Sequence, residues 1–116
     1  MRHGRKLRKL NFYSAQRASL LRNMTVSLIM TENVTTTDAR AKEVKRYAEK
    51  IITLCKDDSL ATRRRAFAHL RSKEALEKLY GSLRDRYIDQ KGGYIRIFHA
   101  GFRKGDAAEM CIIKLG

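Results

Sequence analysis

Three histidines, two cysteines and one adjacent pair of aspartates are the side chains here with the potential for catalysis or metal binding. His3, His69 and His99 are scattered, and none has a second ligand three or four positions away. Cys55 and Cys111 form neither a CxxC pair nor a disulfide framework, and read as two reduced, partly buried thiols. Cys111 falls on a predicted strand with no histidine close to it in sequence. Asp57-Asp58 precedes a predicted helix, where adjacent acids serve as capping groups rather than metal ligands. Gly92-Gly93 and Gly101…Gly105 match neither the GxGxxG nor the GxxxxGK[ST] phosphate loop. The sequence thus predicts no catalytic residue, no metal ligand and no cofactor.

Cationic chemistry remains. The 116 residues carry 26 Lys and Arg against 12 Asp and Glu, a formal charge of +14. A surplus of that size repels itself in the compact state and calls for an anionic partner. It is unevenly placed. Met1 to Thr31 holds Arg2, Arg5, Lys6, Arg8, Lys9, Arg17 and Arg22 and no acid, and Ser59 to Lys73 holds Arg63, Arg64, Arg65, Arg71 and Lys73 and no acid. The segments between are close to balanced. A merely solvated helix gains from mixed signs at i,i+4 spacing, so blocks without counter-charge point to a ligand. Arginine dominates both blocks, and its planar fork grips phosphate bidentately and stacks on bases. Arg63, Arg64 and Arg65 are consecutive and splay about 100° apart on a helix, so they reach different phosphates rather than one groove. Arg96, Arg103 and Lys104 add charge beside aromatics; Tyr94 and Phe98 read as simple β-alternation, whereas Phe102, in a loop, is the stacking candidate.

These groups need a scaffold, and a hydrophobic fraction of 43% is enough for one. No run approaches the roughly 18 apolar residues of a membrane span. Residues 1–13 read as an extended basic arm, disordered when free, and 14–116 as a single α+β domain. Helix one is predicted over about 14–30, with Ala18, Leu21, Met24 or Thr25, and Leu28 inward. A short β-branched edge strand follows at 33–37. Helix two runs from Thr37 or Asp38 to about Cys55 on a stripe of Val44, Tyr47, Ala48, Ile51, Leu54 and Cys55. Helix three spans about 60–70, with Leu60, Ala61, Phe67 and Ala68 as its apolar face and Arg64 projecting into it. Helix four spans about 73–87, capped by Ser72, on Leu76, Leu79, Tyr80, Leu83 and Tyr87. After Gly92-Gly93 the period becomes two, predicting a C-terminal antiparallel hairpin. The expected fold is α+β: about four helices packed on a small sheet, plus the arm.

The residues also resemble a specific family. Met1-Arg2-His3, Leu10-Asn11, Arg22-Asn23-Met24, Arg40-Ala41-Lys42-Glu43, Arg63-Arg64, Gly92-Gly93-Tyr94 and Gly101-Phe102-Arg103 occur in order over nearly the whole chain. Together they resemble protein seventeen of the bacterial-type large ribosomal subunit. The resemblance implies a structural, non-enzymatic protein bound to large-subunit ribosomal RNA. It further implies neighbouring ribosomal proteins near the peptide exit region, no membrane and no small-molecule substrate. It sets the home as a bacterial cytoplasm, with organelle-encoded members also fitting, and Met1 as the start of the mature chain. His3, Asn11 and Asn23 join Arg2, Arg5, Lys6, Arg8, Lys9, Arg17, Arg22, Arg63, Arg64, Arg65, Arg96, Phe102, Arg103 and Lys104 as the expected RNA-binding residues. The chain departs from the family pattern at Gln16, where a His is common, and at Glu109, where a Pro is common. A competing reading is a DNA-binding protein using helices three and four as a helix-turn-helix, which requires a compact turn and one helix able to read base edges.

Overall fold

The computed structural model describes residues 14–116, so the arm lies outside the described residues. The element order is α1 (Ser14–Thr31), β1 (Asn33–Thr37), α2 (Asp38–Leu54), α3 (Leu60–Leu70), α4 (Lys73–Lys78), a π turn (Leu79–Leu83), α5 (Arg84–Tyr87), β2 (Ile95–Phe102) and β3 (Glu109–Leu115). The class is α+β, as the sequence predicts. The antiparallel sheet has the order β1-β3-β2, so β3, last in the chain, is central and the short Thr-rich β1 is an edge.

Register decides what each face of the sheet carries, because neighbouring side chains on a strand point to opposite faces. Val34, Ile113 and Ile97 form one row across the three strands, and Thr36, Cys111 and His99 the next. The buried members of these rows face the helices, with Leu28, Val44, Ala48, Leu79, Leu83, Tyr87 and Tyr94 in the same core. The opposite face bears Asn33–Lys114–Arg96 and Thr35–Ile112–Phe98. A bulge follows His99, where Gly101 takes φ +100°, a torsion open to glycine.

Helix α2 buries Val44, Ala48, Ile51 and Cys55 of the predicted stripe, with Ala41 and Ile52 added, while Tyr47 and Leu54 are only half-buried. Burial also pushes the Cys55 thiol up to about 11. Helix α3 opens on a capping box: Thr62 N–H donates to Ser59 Oγ at 3.2 Å, and Ser59 N–H donates to Thr62 Oγ1 at 3.1 Å. The face of α3 corrects the sequence expectation. Thr62, Ala66 and Leu70 are buried, whereas Leu60 is 64% exposed, Phe67 40% exposed, and Ala61, Arg64 and Ala68 are on the surface. The small Thr62 and Ala66 let α3 approach the core closely, and Thr62 accepts a hydrogen bond from buried Tyr80 (3.1 Å). A polar residue at the start of the true stripe hid it from an apolar count.

Arg71 closes α3 in the left-handed conformation (φ 54°), and Ser72 accepts from Ala75 N–H at 3.3 Å to start α4. The single helix expected over 73–87 is interrupted. Gly81 leaves helical torsions (φ −91°, ψ −111°), and the chain resumes as α5 with Leu79, Leu83 and Tyr87 still buried. Glu32, at the turn between α1 and β1, pairs with Lys78 (3.1 Å) and Arg86, which tie that turn to α4 and α5.

Candidate nucleic-acid interface

The three consecutive arginines are all exposed on α3 and differ in their surroundings. Arg63 is held by Asp58 through two bonds (Nε–Oδ1 2.6 Å, Nη2–Oδ2 2.9 Å) and lies over the Tyr80 ring at 4.6 Å. The pairing lowers the Asp58 carboxyl below the usual carboxylate range. Arg63 thus already has a counter-charge, which weakens it as a phosphate contact. Arg64 stands outward between Leu60 and Phe67 on successive turns.

Arg65 points instead into a groove between α2 and α3, together with Tyr47, Lys50, Leu54 and His69. The groove holds about 400 Å³, room for a nucleobase, over an apolar floor of Ile51 and Leu54. The Tyr47 hydroxyl donates to the His69 carbonyl (3.2 Å), and the two rings meet edge to face at 5.9 Å. Burial raises the Tyr47 hydroxyl, with the positive charge of Arg22 opposing it. On the other side of Tyr47 a second depression brings in Arg17, Arg46 and Lys50. Three elements thus converge on one basic face centred on Tyr47.

Arg17 has a further task there. Its Nη2 donates to Glu43 Oε2 at 3.1 Å, and Arg46 lies 3.8 Å from Oε1 of the same carboxylate. Glu43 is buried, and these cations compensate its charge, so Arg17 serves the fold as well as the surface. Arg22 donates to Ser19 Oγ at 3.1 Å, and Asn23 is exposed one position on.

The hairpin supplies a second basic area. Arg96 and Lys114 are register partners on the outer sheet face, and Lys114 Nζ lies 5.8 Å from the centre of the Phe98 ring. Phe98 is on the open face, as alternation predicts, but Tyr94, which alternation would place on the same face, precedes β2 and is buried, meeting Tyr87 edge to face at 5.1 Å. Phe102 is 74% exposed, at the end of β2 rather than in a loop. Arg103 is paired bidentately with Asp106, whose carboxyl it holds down at about 2, and Lys104 is exposed between them. Arg2, His3, Arg5, Lys6, Arg8, Lys9 and Asn11 lie outside the described residues.

The sequence reading missed Tyr47, Lys50 and Arg46 as surface groups, because they sit in a charge-balanced segment. Their signal is helical spacing: Tyr47, Lys50 and Leu54 share one side of α2. It also missed His99, Asp38 and Cys111 as neighbours, because strand register and the start of α2 bring them together.

Among the described residues, basic groups from α1, α2 and α3 gather around the Tyr47 ring in a small α+β domain. The family model for "Ribosomal protein L17" matches residues 20–116. The "Large ribosomal subunit protein bL17" of Fusobacterium nucleatum subsp. nucleatum is 45% identical over 115 residues, covering 99% of each chain. The chain belongs to the ribosomal protein L17 family.

Proposed function

We propose that this chain is a structural constituent of the large ribosomal subunit that binds large-subunit ribosomal RNA and supports translation without catalysing a reaction. The observation that carries the RNA contact is the convergence of Arg22, Lys50, Arg65 and His69 around Tyr47. Cations spread over three elements match the irregular phosphate path of folded RNA better than one straight groove. Arg64, Arg96, Phe102 and Lys104 extend that contact to α3 and the hairpin, and the arm (Arg2, His3, Arg5, Lys6, Arg8, Lys9 and Asn11) adds phosphate contacts. The exposed Leu60 and Phe67 suit packing against neighbouring ribosomal proteins, near the peptide exit region. Membership of the family and a relative named for the large subunit support ribosome association in a bacterial cytoplasm. Among the described residues no helix is long and apolar enough to cross a membrane.

A helix-turn-helix on duplex DNA is less well supported. Arg71-Ser72 does make a compact turn, but the second helix ends at Lys78 and exposes Glu74 and Glu77, which repel phosphates. Co-sedimentation tests the reading. The protein should pellet with large subunits at high magnesium and be displaced by excess large-subunit RNA; retention on duplex DNA with no pelleting would refute it.

A further inference from the structure

We propose that Asp38, His99 and Cys111 form a binding site for one divalent transition-metal ion of the zinc type. Asp38 opens α2, His99 ends the regular part of β2 just before the bulge, and Cys111 lies opposite it on β3. Cys111 Sγ is 3.5 Å from Asp38 Oδ1 and 3.8 Å from His99 Nδ1, and all three ligand atoms lie within 4.8 Å of one another. A tetrahedral zinc ion with ordinary bond lengths sets its sulfur, nitrogen and oxygen ligands about 3.4–3.6 Å apart. Two edges of the triangle are therefore near their final length, and the third closes by a small turn of the His99 ring, which is exposed.

Thiolate, imidazole and carboxylate together are a zinc-type ligand set, unlike the all-oxygen sets that calcium and magnesium prefer. The surroundings orient each ligand. Lys42 holds the other oxygen of Asp38, Oδ2, at 3.1 Å and leaves Oδ1 toward the sulfur. Glu109 Oε1 lies 2.8 Å from His99 Nδ1 and is the group at hand for the fourth position. Without the ion, the Cys111 thiol donates to Asp38 Oδ1. Binding releases that proton to solvent as the thiolate joins the metal, and the imidazole presents the Nδ1 lone pair while its proton sits on Nε2. The ion would join the hairpin to the start of α2.

The test is a cobalt(II) titration of the full chain after chelator treatment. One equivalent should bind with a thiolate-to-cobalt charge-transfer band, and zinc should displace it. Cys111→Ser should abolish the band, whereas Cys55→Ala, at the other thiol, should retain it. Because Cys111 is buried and its replacement can disturb the fold, the exposed His99→Gln provides the second variant, with affinity at least tenfold weaker and an unchanged circular dichroism spectrum. Absence of the band in the unaltered protein, binding without a thiolate band, or equal affinity in His99→Gln would each overturn the site.

Discussion

Leu70→Ala and Phe67→Ala, three residues apart on α3, separate the two registers of that helix. Leu70 is 2% exposed, and truncation removes three carbons from the core. At about 0.8 kcal/mol per buried methylene, the transfer loss is about 2.4 kcal/mol. The unfilled cavity brings the total to about 3–4 kcal/mol, within the usual range for Leu→Ala. For a domain of this size that lowers the melting temperature by about 12–16 °C. Phe67 is 40% exposed and leaves no enclosed cavity, so its truncation should cost only about 1 kcal/mol, or about 4 °C. Thermal unfolding followed by circular dichroism reads both shifts. The apolar count along the sequence predicts the reverse order, with Phe67→Ala the damaging change. A melting temperature lower for Phe67→Ala than for Leu70→Ala would refute the packing of α3 on Thr62, Ala66 and Leu70.

Thr25 Oγ1 is a buried side-chain oxygen on α1 with no hydrogen-bond partner among the described residues. Thr25→Val keeps the shape and removes the unpaired hydroxyl, so urea unfolding should show a gain of about 1 kcal/mol, and a loss would mean the hydroxyl is satisfied. Arg86 and Lys78 hold the Glu32 carboxyl below its ordinary value of 4.5, the hydrogen bond from Arg86 being the larger cause. A depressed carboxylate contributes stability above its unfolded value and loses it as pH falls through the folded one. Glu32→Gln should therefore melt below the unaltered protein near about pH 7 and converge with it toward about pH 3; a gap that widens on acidification would contradict the pairing.

The sequence was legible where one period dominated. Val44, Ala48, Ile51 and Cys55 recur at helical spacing, and α2 follows them; Ile95 and Ile97, like Cys111 and Ile113, alternate, and the hairpin follows. It was illegible where small or polar residues filled a buried face. Thr62 and Ala66 carry little hydrophobicity, yet they set the depth of α3, while Leu60 and Phe67 carry more and stay outside. Gly81 broke the helix expected over 73–87 at a position whose flanking stripe continued in phase. The charge blocks located Arg65 but not its groove neighbours Tyr47 and Lys50, which came from a balanced helix. Asp38, His99 and Cys111 are remote in sequence, and the register of β2 on β3 together with the start of α2 brings their ligand atoms within 4.8 Å of one another.

In the function proposed above, cations gathered around Tyr47, with the arm, hold ribosomal RNA mainly through phosphates. The direct measurement is affinity for large-subunit ribosomal RNA against salt concentration, for the unaltered protein and for Lys50→Ala with Arg65→Ala. With about eight phosphate contacts, log K should fall against log salt with a slope of roughly −6 to −7. The double variant should melt like the unaltered protein, bind more weakly at every salt concentration and show a slope shallower by about 1.5. A slope shallower than about −2 in the unaltered protein, or a double variant that binds identically, would contradict the account.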